Sequence, residues 1–330
     1  MIRIAIFGFG AVGQGVAEIL AEKKDEIERM IGKFRVVAVT DSRGSVFDEN
    51  GVKLTEVLNL KQKGSLPEGL TTLDIIEKMD FDVAIEATPT NIEHGEPGLT
   101  HIKKCLEKGT HVVTSNKGPL VVAYNELSEL AEKKGVKLMF EATVGGAMPL
   151  IKLVKNNLAG NEIFSIKGIL NGTCNYILSR MEMEKLPYNQ ILAEAQELKI
   201  AEADPTYDVE GIDSAAKLVI LANALLGMNV RFEDVEITGI TSITPEAFEV
   251  AMERDYTIRL IAEVNKITGT LKVSPRLVPL HHPLAVTGTL NAILIQTDLA
   301  GEVVVMGRGA GKKETASAIV SDLIEIFRCR

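Results

Sequence analysis

The segment Ile2-Arg3-Ile4-Ala5-Ile6-Phe7-Gly8-Phe9-Gly10-Ala11-Val12-Gly13-Gln14 begins as a strand and ends as a helix. Its apolar run stops at Gly8, Gly10 and Gly13, and a helical pattern continues from Gln14 to Lys24. Bare backbone at such positions lets a pyrophosphate lie against N–H groups at the positive end of the helix dipole. Strings of this form also arise by chance. The strand before, the helix after and the place at the head of the chain make this one a dinucleotide site, with Phe9, Ala11 and Val12 completing the loop.

Outward from it, strand-like runs at Arg35 to Thr40, Val83 to Ala87, His111 to Thr114 and Val136 to Phe140 alternate with helical stretches at Gly13 to Met30, Thr100 to Lys108 and Tyr124 to Lys134. Continuous apolar strands separated by helices predict an α/β, Rossmann-like, doubly wound parallel sheet. Ligands collect at the carboxyl ends of such strands, which places Gly8, Asp41, Thr88, Ser115, Asn116 and Lys117 toward one crevice. After Ala142-Thr143-Val144-Gly145-Gly146-Ala147 the pattern changes to helices near Leu150 to Asn157, Asn175 to Glu184, Tyr188 to Leu198 and Gly211 to Leu226, mixed with strands from Ile163 onward. This reads as an α+β second domain. The division expected is 1–148 for the nucleotide domain, completed by 301–330, and 149–300 for substrate binding and dimerisation.

With 330 residues, 46% hydrophobic and 25% charged, the chain has the length of two globular domains. No apolar run approaches the roughly 20 residues that cross a bilayer. A net charge of −9 leaves no basic excess for nucleic acid. Cys105, Cys174 and Cys329 show no metal spacing, which fits a reduced, cytoplasmic protein with Cys329 a free terminal thiol; pairing across a dimer axis is the alternative.

Asp41-Ser42-Arg43 ends the second strand. An acidic residue there accepts the ribose hydroxyls of NAD, whereas an arginine grips the extra phosphate of NADP, so the preference stays open. Between Glu202 and Lys217, five carboxylates (Glu202, Asp204, Asp208, Glu210 and Asp213) precede one lysine. Asp213 and Lys217 share a helix face with Ile220 and Leu221, so Lys217 points toward something buried, as a proton donor must. Lys117, in Thr114-Ser115-Asn116-Lys117-Gly118-Pro119, sits where it can hold an anionic substrate or relay a proton, with Gly118-Pro119 allowing a sharp turn. The five histidines lack a carboxylate partner in sequence and read as structural.

The chain resembles the homoserine dehydrogenases in their short monofunctional form. The resemblance is carried by Gly8 to Gly13, Ser115 to Leu120, Glu141 to Gly146, Gly168 to Leu178, Asp204 to Lys217 and the tail Gly307-Arg308-Gly309-Ala310-Gly311. It implies reduction of L-aspartate 4-semialdehyde to L-homoserine by NADH or NADPH in threonine, methionine and isoleucine biosynthesis. It also implies Lys217 as acid-base residue, Lys117 as second active-site lysine, and Glu202, Asp208 and Asp213 as partners of the substrate ammonium or of the lysine. Asn171, Gly172 and Thr173 become the loop at the substrate, and Gly307, Gly309 and Gly311 part of the cofactor site. Backbone carbonyls of Glu141, Val144 and Gly146 are expected to hold a monovalent cation such as Na+. A homodimer without membrane or nucleic-acid partners, and without threonine feedback through an appended module, is expected. Cys174 departs from the family, which often has a hydroxyl residue there. An aspartate-oxidising relative would share the first domain but not the Asp213/Lys217 helix, and an NAD-binding regulator would need a basic surface that this chain lacks.

Overall fold

Ile4, Ala5, Ile6 and Phe7 are wholly buried, as a strand is when helices cover both faces of its sheet. In the computed structural model, which describes residues 1–328, they form the centre of β1 (Ile2–Phe7). There follow α1 (Ala11–Glu22), α2 (Lys24–Ile31), β2 (Phe34–Thr40), β3 (Ser45–Phe47), α3 (Leu54–Gln62), α4 (Thr72–Lys78), β4 (Val83–Glu86), α5 (Gly98–Glu107), β5 (His111–Thr114), α6 (Lys117–Lys134) and β6 (Leu138–Met139). The sheet order β3-β2-β1-β4-β5-β6 reverses direction between β1 and β4, which opens a crevice at the carboxyl ends of those strands. Neighbours run parallel, and among the described residues β3 alone is antiparallel, pairing Phe47 with Ala38.

The helical pattern read as continuous from Gly13 to Met30 is two helices separated at Lys23, with Ile27 and Ile31 the buried residues of the second. The apolar pattern did not reveal α3, which buries only Val57, or α4, which buries Ile75 and Ile76. The start of α4 is marked by a capping box between Thr71 and Asp74.

The chain divides into two compact units, Met1–Ala147 with a return segment from Gly311, and Met148–Ala310. The second contains β7 (Ile163–Ile169), α7 (Gly172–Glu184), α8 (Tyr188–Glu197), α9 (Thr206–Val209), α10 (Ile212–Leu226), β8 (Glu236–Ile237), α11 (Pro245–Met252), β9 (Tyr256–Asn265), β10 (Thr270–Pro279), β11 (Leu290–Thr297) and β12 (Glu302–Arg308). Its sheet order is β12-β11-β7-β9-β10-β8. All its pairs are antiparallel except β10 with β8, so the α+β reading holds. Residues 301–310, expected with the first unit, belong to the second because β12 pairs with β11 from Leu290↔Arg308 to Gln296↔Glu302.

The return segment forms α12 (Lys312–Phe327), which packs on α1 in the first unit. A Cβ on Gly15 would lie 3.1 Å from the Ala316 methyl, so glycine permits the close crossing. Lys312 donates to Glu18 at 2.6 Å, and Asp322 accepts from the Glu141 N–H at 2.9 Å. Cys329 lies outside the described residues.

Candidate active site

The glycines of the first loop divide three tasks. Gly8 takes φ +91°, and a Cβ there would stand 2.4 Å from the Ala87 carbonyl oxygen. A Cβ on Gly13 would stand 2.1 Å from the Gly8 oxygen, so helix and strand meet too closely for any side chain. Gly10 faces open space, with nothing within 4 Å of a Cβ. It is the N-cap of α1 and supplies no side-chain cap, and the first turn carries no acidic residue. The unpaired N–H groups there suit an anion. Ala11 is exposed and Val12 half-buried. The Phe9 side chain is wholly buried in the core, so Phe9 offers the loop its backbone only.

Past β2, Asp41 accepts from Lys61 Nζ at 2.5 Å and from the N–H groups of Arg43 and Gly44 at 2.8 and 3.0 Å. Burial opposes the charge on Asp41, but these donors outweigh it and hold the carboxyl below its usual range. Arg43 is exposed. Lys61 lies on α3, and nothing in the sequence signalled it.

At the ends of β4 and β5, buried Glu86 accepts from Thr88 N–H at 3.1 Å, from the Thr88 hydroxyl, and from Thr114 Oγ1 at 3.3 Å. Asn116 donates to Thr88 Oγ1 and the Pro89 carbonyl and accepts from Gly118 N–H. Its side chain therefore shapes the crevice wall and caps α6. Ser115 N–H donates to the Glu86 carbonyl. Gly118 and Pro119 are not the sharp turn expected; they lie in the first turn of α6, where proline's missing N–H has no intrahelical partner to lose. Lys117, half-buried, is the first residue of that helix. One histidine does meet a carboxylate through the fold: His101 Nδ1 lies 3.8 Å from Glu86 Oε1.

The second unit holds the lysine. Almost every residue of α10 is buried, and Gly211 before it takes φ +82°. Lys217 is 7% exposed and Asp213 5%. Lys217 Nζ donates to Asp213 Oδ2 at 2.6 Å and to the Leu170 carbonyl at 2.7 Å. Two of the three ammonium hydrogens are thus directed, leaving one for a third acceptor. Asn171, the N-cap of α7, donates to Asp213 at 3.0 Å and to Asp208 at 2.6 Å, and accepts from Cys174 N–H at 2.9 Å. Burial pushes the Asp208 carboxyl up, and Asp213 adds to this, against the lowering effects of Asn171 and Lys217. The Cys174 thiol donates to the Asp208 carbonyl at 3.1 Å, as a hydroxyl would. Gly172 is required because a Cβ would lie 2.7 Å from the Thr289 carbonyl oxygen, and Thr173 donates to the Ile200 carbonyl at 3.2 Å.

Not all expected residues join this group. Glu202 is exposed, its carbonyl accepting from Gln196. Gly307 lies on β12 and Gly309 follows it in the second unit, whereas Gly311 caps α12 in the first. Glu141, Val144 and Gly146 fall in a buried, irregular stretch that includes a 3-10 turn, Glu141–Thr143. Tyr207, which the sequence reading passed over, buries a hydroxyl that has no partner among the described residues. Among the described residues no three His, Cys, Asp or Glu side chains group around a metal position, and no helix is long and apolar enough to cross a membrane.

Residues 8–141 match the model of the homoserine dehydrogenase NAD-binding domain, and residues 149–324 match that of homoserine dehydrogenase itself. The chain belongs to the homoserine dehydrogenase family. A homoserine dehydrogenase of Methanocaldococcus jannaschii is 53% identical over 331 residues, 98% of each chain. A crystal structure of an Archaeoglobus fulgidus protein assigned to homoserine dehydrogenase shares 58% identity and a TM-score of 0.95, with all of both chains covered. A hyperthermophilic archaeal homoserine dehydrogenase in complex with NADPH shares 31% identity and a TM-score of 0.85 over 98% and 97% of the two chains. As a homoserine dehydrogenase the protein is an NAD(P)-dependent oxidoreductase, interconverting L-aspartate 4-semialdehyde and L-homoserine in the route to threonine, methionine and isoleucine.

Proposed function

We propose that Lys217 is the proton donor in this reaction, and that Lys117, Asp208, Asp213 and the Asn171-Gly172-Thr173 loop hold the amino-acid substrate. One observation carries the reading: an ammonium 8% exposed in its side chain, fixed between Asp213 and the Leu170 carbonyl with a hydrogen left over. A bound nicotinamide supplies the hydride to the carbonyl carbon. Lys217 then gives its proton to the carbonyl oxygen, and Asp213 keeps the amine oriented throughout. The α-ammonium of the substrate fits the Asp208 carboxylate, and Lys117 suits the opposite charge. Glu202 is kept in this role on the resemblance alone.

The glycine loop at α1 would take the pyrophosphate, with Gly311 at the edge of the same unit and Gly307 and Gly309 assigned by resemblance. Lys61 and Arg43 together favour a ribose 2′-phosphate, and Asp41 alone would favour the free hydroxyls, so both NADP(H) and NAD(H) are accepted. A monovalent cation at the carbonyls of Glu141, Val144 and Gly146 fits a buried stretch in which Gly146 takes φ +56°. We place the enzyme in the cytoplasm as a homodimer, supported by exposed Leu277, Leu290 and Met306 on β10, β11 and β12.

Purified protein given L-homoserine with NADP+ and then NAD+ should generate reduced nicotinamide absorbance with each. Absence of turnover with both cofactors overturns the reading.

A further inference from the structure

Val83, Ala84 and Ile85 of β4 are apolar and buried, and the strand then ends on Glu86, which is 1% exposed. A carboxyl group so placed is costly unless its oxygens are hydrogen-bonded. Its Oε1 accepts from the Thr88 N–H at 3.1 Å and from the Thr88 hydroxyl, and its Oε2 from Thr114 Oγ1 at 3.3 Å. Because the Thr88 hydroxyl donates to Glu86, its oxygen is left to accept, and it takes Asn116 Nδ2 at 3.2 Å. Asn116 Oδ1 in turn accepts from the Gly118 N–H at 3.0 Å. One directional chain therefore runs from the first turn of α6, which opens with Lys117, to the end of β4. The start of α5 packs against it, since a Cβ on Gly98 would lie 2.6 Å from Asn116 Nδ2 and 3.1 Å from Glu86 Oε2.

The peptide that Glu86 holds borders the glycine loop. A Cβ on Gly8 would fall 2.4 Å from the Ala87 oxygen and 2.6 Å from the Thr88 nitrogen. Ala87 and Thr88 are half-buried and Pro89 is exposed, so this stretch is open wall beside the loop. A pyrophosphate at the N-terminus of α1, with the adenosine ribose toward Asp41 at the end of β2, leaves the nicotinamide half on the other side of β1, where the sheet order puts β4 and then β5. Thr88 spends its one hydroxyl hydrogen on Glu86 and has none to give a ligand, so it offers the crevice its backbone and methyl group.

We propose that Glu86 is a positioning residue for the nicotinamide half of the cofactor, fixing the Thr88 peptide beside the glycine loop and, through Asn116, the start of α6. Glu86 acts through these residues and touches no ligand itself. The proposal rests on the reading of the glycine loop as the pyrophosphate site.

The test separates the two halves of the cofactor. NADP+ and adenosine 2′,5′-bisphosphate, which lacks the nicotinamide end, are titrated calorimetrically into wild type, Glu86→Gln, Glu86→Leu and Thr88→Val. Glu86→Leu strands both Thr88 donors, so the Kd for NADP+ should rise about tenfold, the scale of one net hydrogen bond. The Kd for the bisphosphate should stay within about twofold, as for a site with no shared partners. Glu86→Gln keeps one oxygen for both Thr88 donors and turns its NH2 toward Thr114 Oγ1, whose hydrogen has the Glu86 carbonyl as acceptor, so it should bind both ligands nearly as the wild type does. Thr88→Val keeps the side-chain volume and leaves Glu86 in place, and it should repeat the loss on NADP+ alone even if Glu86→Leu does not fold. A folded Glu86→Leu or Thr88→Val that binds NADP+ as the wild type does, or that weakens both ligands equally, refutes the assignment. So does a Glu86→Gln that loses as much as Glu86→Leu. A wild type that binds neither ligand overturns this proposal together with the reading beneath it.

Discussion

Replacing Lys217 by methionine keeps the length of the side chain and removes the ammonium, which separates what the group does for folding from what it does for catalysis. Asp213, itself buried, loses its 2.6 Å partner but keeps Asn171 at 3.0 Å, and the Leu170 carbonyl loses its donor. Removing one partner of a buried ion pair costs about 3 kcal/mol or more. For a unit of this size that lowers Tm by roughly 6 to 12 °C. Loss of a general acid lowers kcat by about 100-fold to 10,000-fold, or roughly 2.7 to 5.5 kcal/mol of barrier. The double variant Asp213→Asn/Lys217→Met removes the stranded charge, so most of the stability should return while turnover stays lost. Reduction of aspartate 4-semialdehyde under saturating NADPH, with Tm by calorimetry on the same samples, reads both quantities. If the folded double variant turns over within tenfold of wild type, Lys217 is not the proton donor.

The glycine loop yields a paired test. Gly10→Ala should fold with an unchanged Tm and bind NADP+ at least tenfold more weakly by fluorescence titration, whereas Gly13→Ala should lose folded protein outright because its Cβ has no room. For the ribose end, Lys61→Ala and Arg43→Ala should each raise the Kd for NADP(H) far more than for NAD(H); equal effects on both would refute a phosphate-gripping role. Asp208 bears on pH. Folding raises its pKa, so its stabilising contribution is present below the ordinary carboxylate range and is lost as pH rises through the raised value. Asp208→Asn, whose oxygen can still accept from Asn171, should therefore raise Tm at neutral pH. That gain should shrink on acidification, and KM for homoserine should rise.

The features legible in the sequence are those where local geometry leaves one residue type possible. Gly8 and Gly13 are such positions, since backbone contacts there exclude any side chain. Lys217 was legible because four residues of helix put it on the Asp213 face and the surrounding apolar run declared the helix buried. The partners that arrive from elsewhere in the chain left no trace. Lys61 reaches Asp41 from a helix with one buried residue, and Asn291 stands just before an apolar run with nothing local to mark it as buried. The tail glycines divide for a related reason. Gly307 and Gly309 go with the second unit, because the pairing that assigns β12 to the second sheet depends on β11, whose apolar run does not name its neighbour, whereas Gly311 caps α12 in the first.

The packing of α12 on α1 has a consequence for how the chain is made. Everything between Met148 and Ala310 leaves the ribosome before the last piece of the nucleotide-binding unit does. The middle unit has all its strands available during synthesis. The first must wait with the face of α1 around Gly15 uncovered and the Glu141 N–H without its carboxylate, until Lys312 and Ala316 arrive to close the one and Asp322 to accept from the other. Completion of the earlier unit is therefore tied to synthesis of α12, and a nascent chain halted before that helix cannot finish the fold that its opening residues begin.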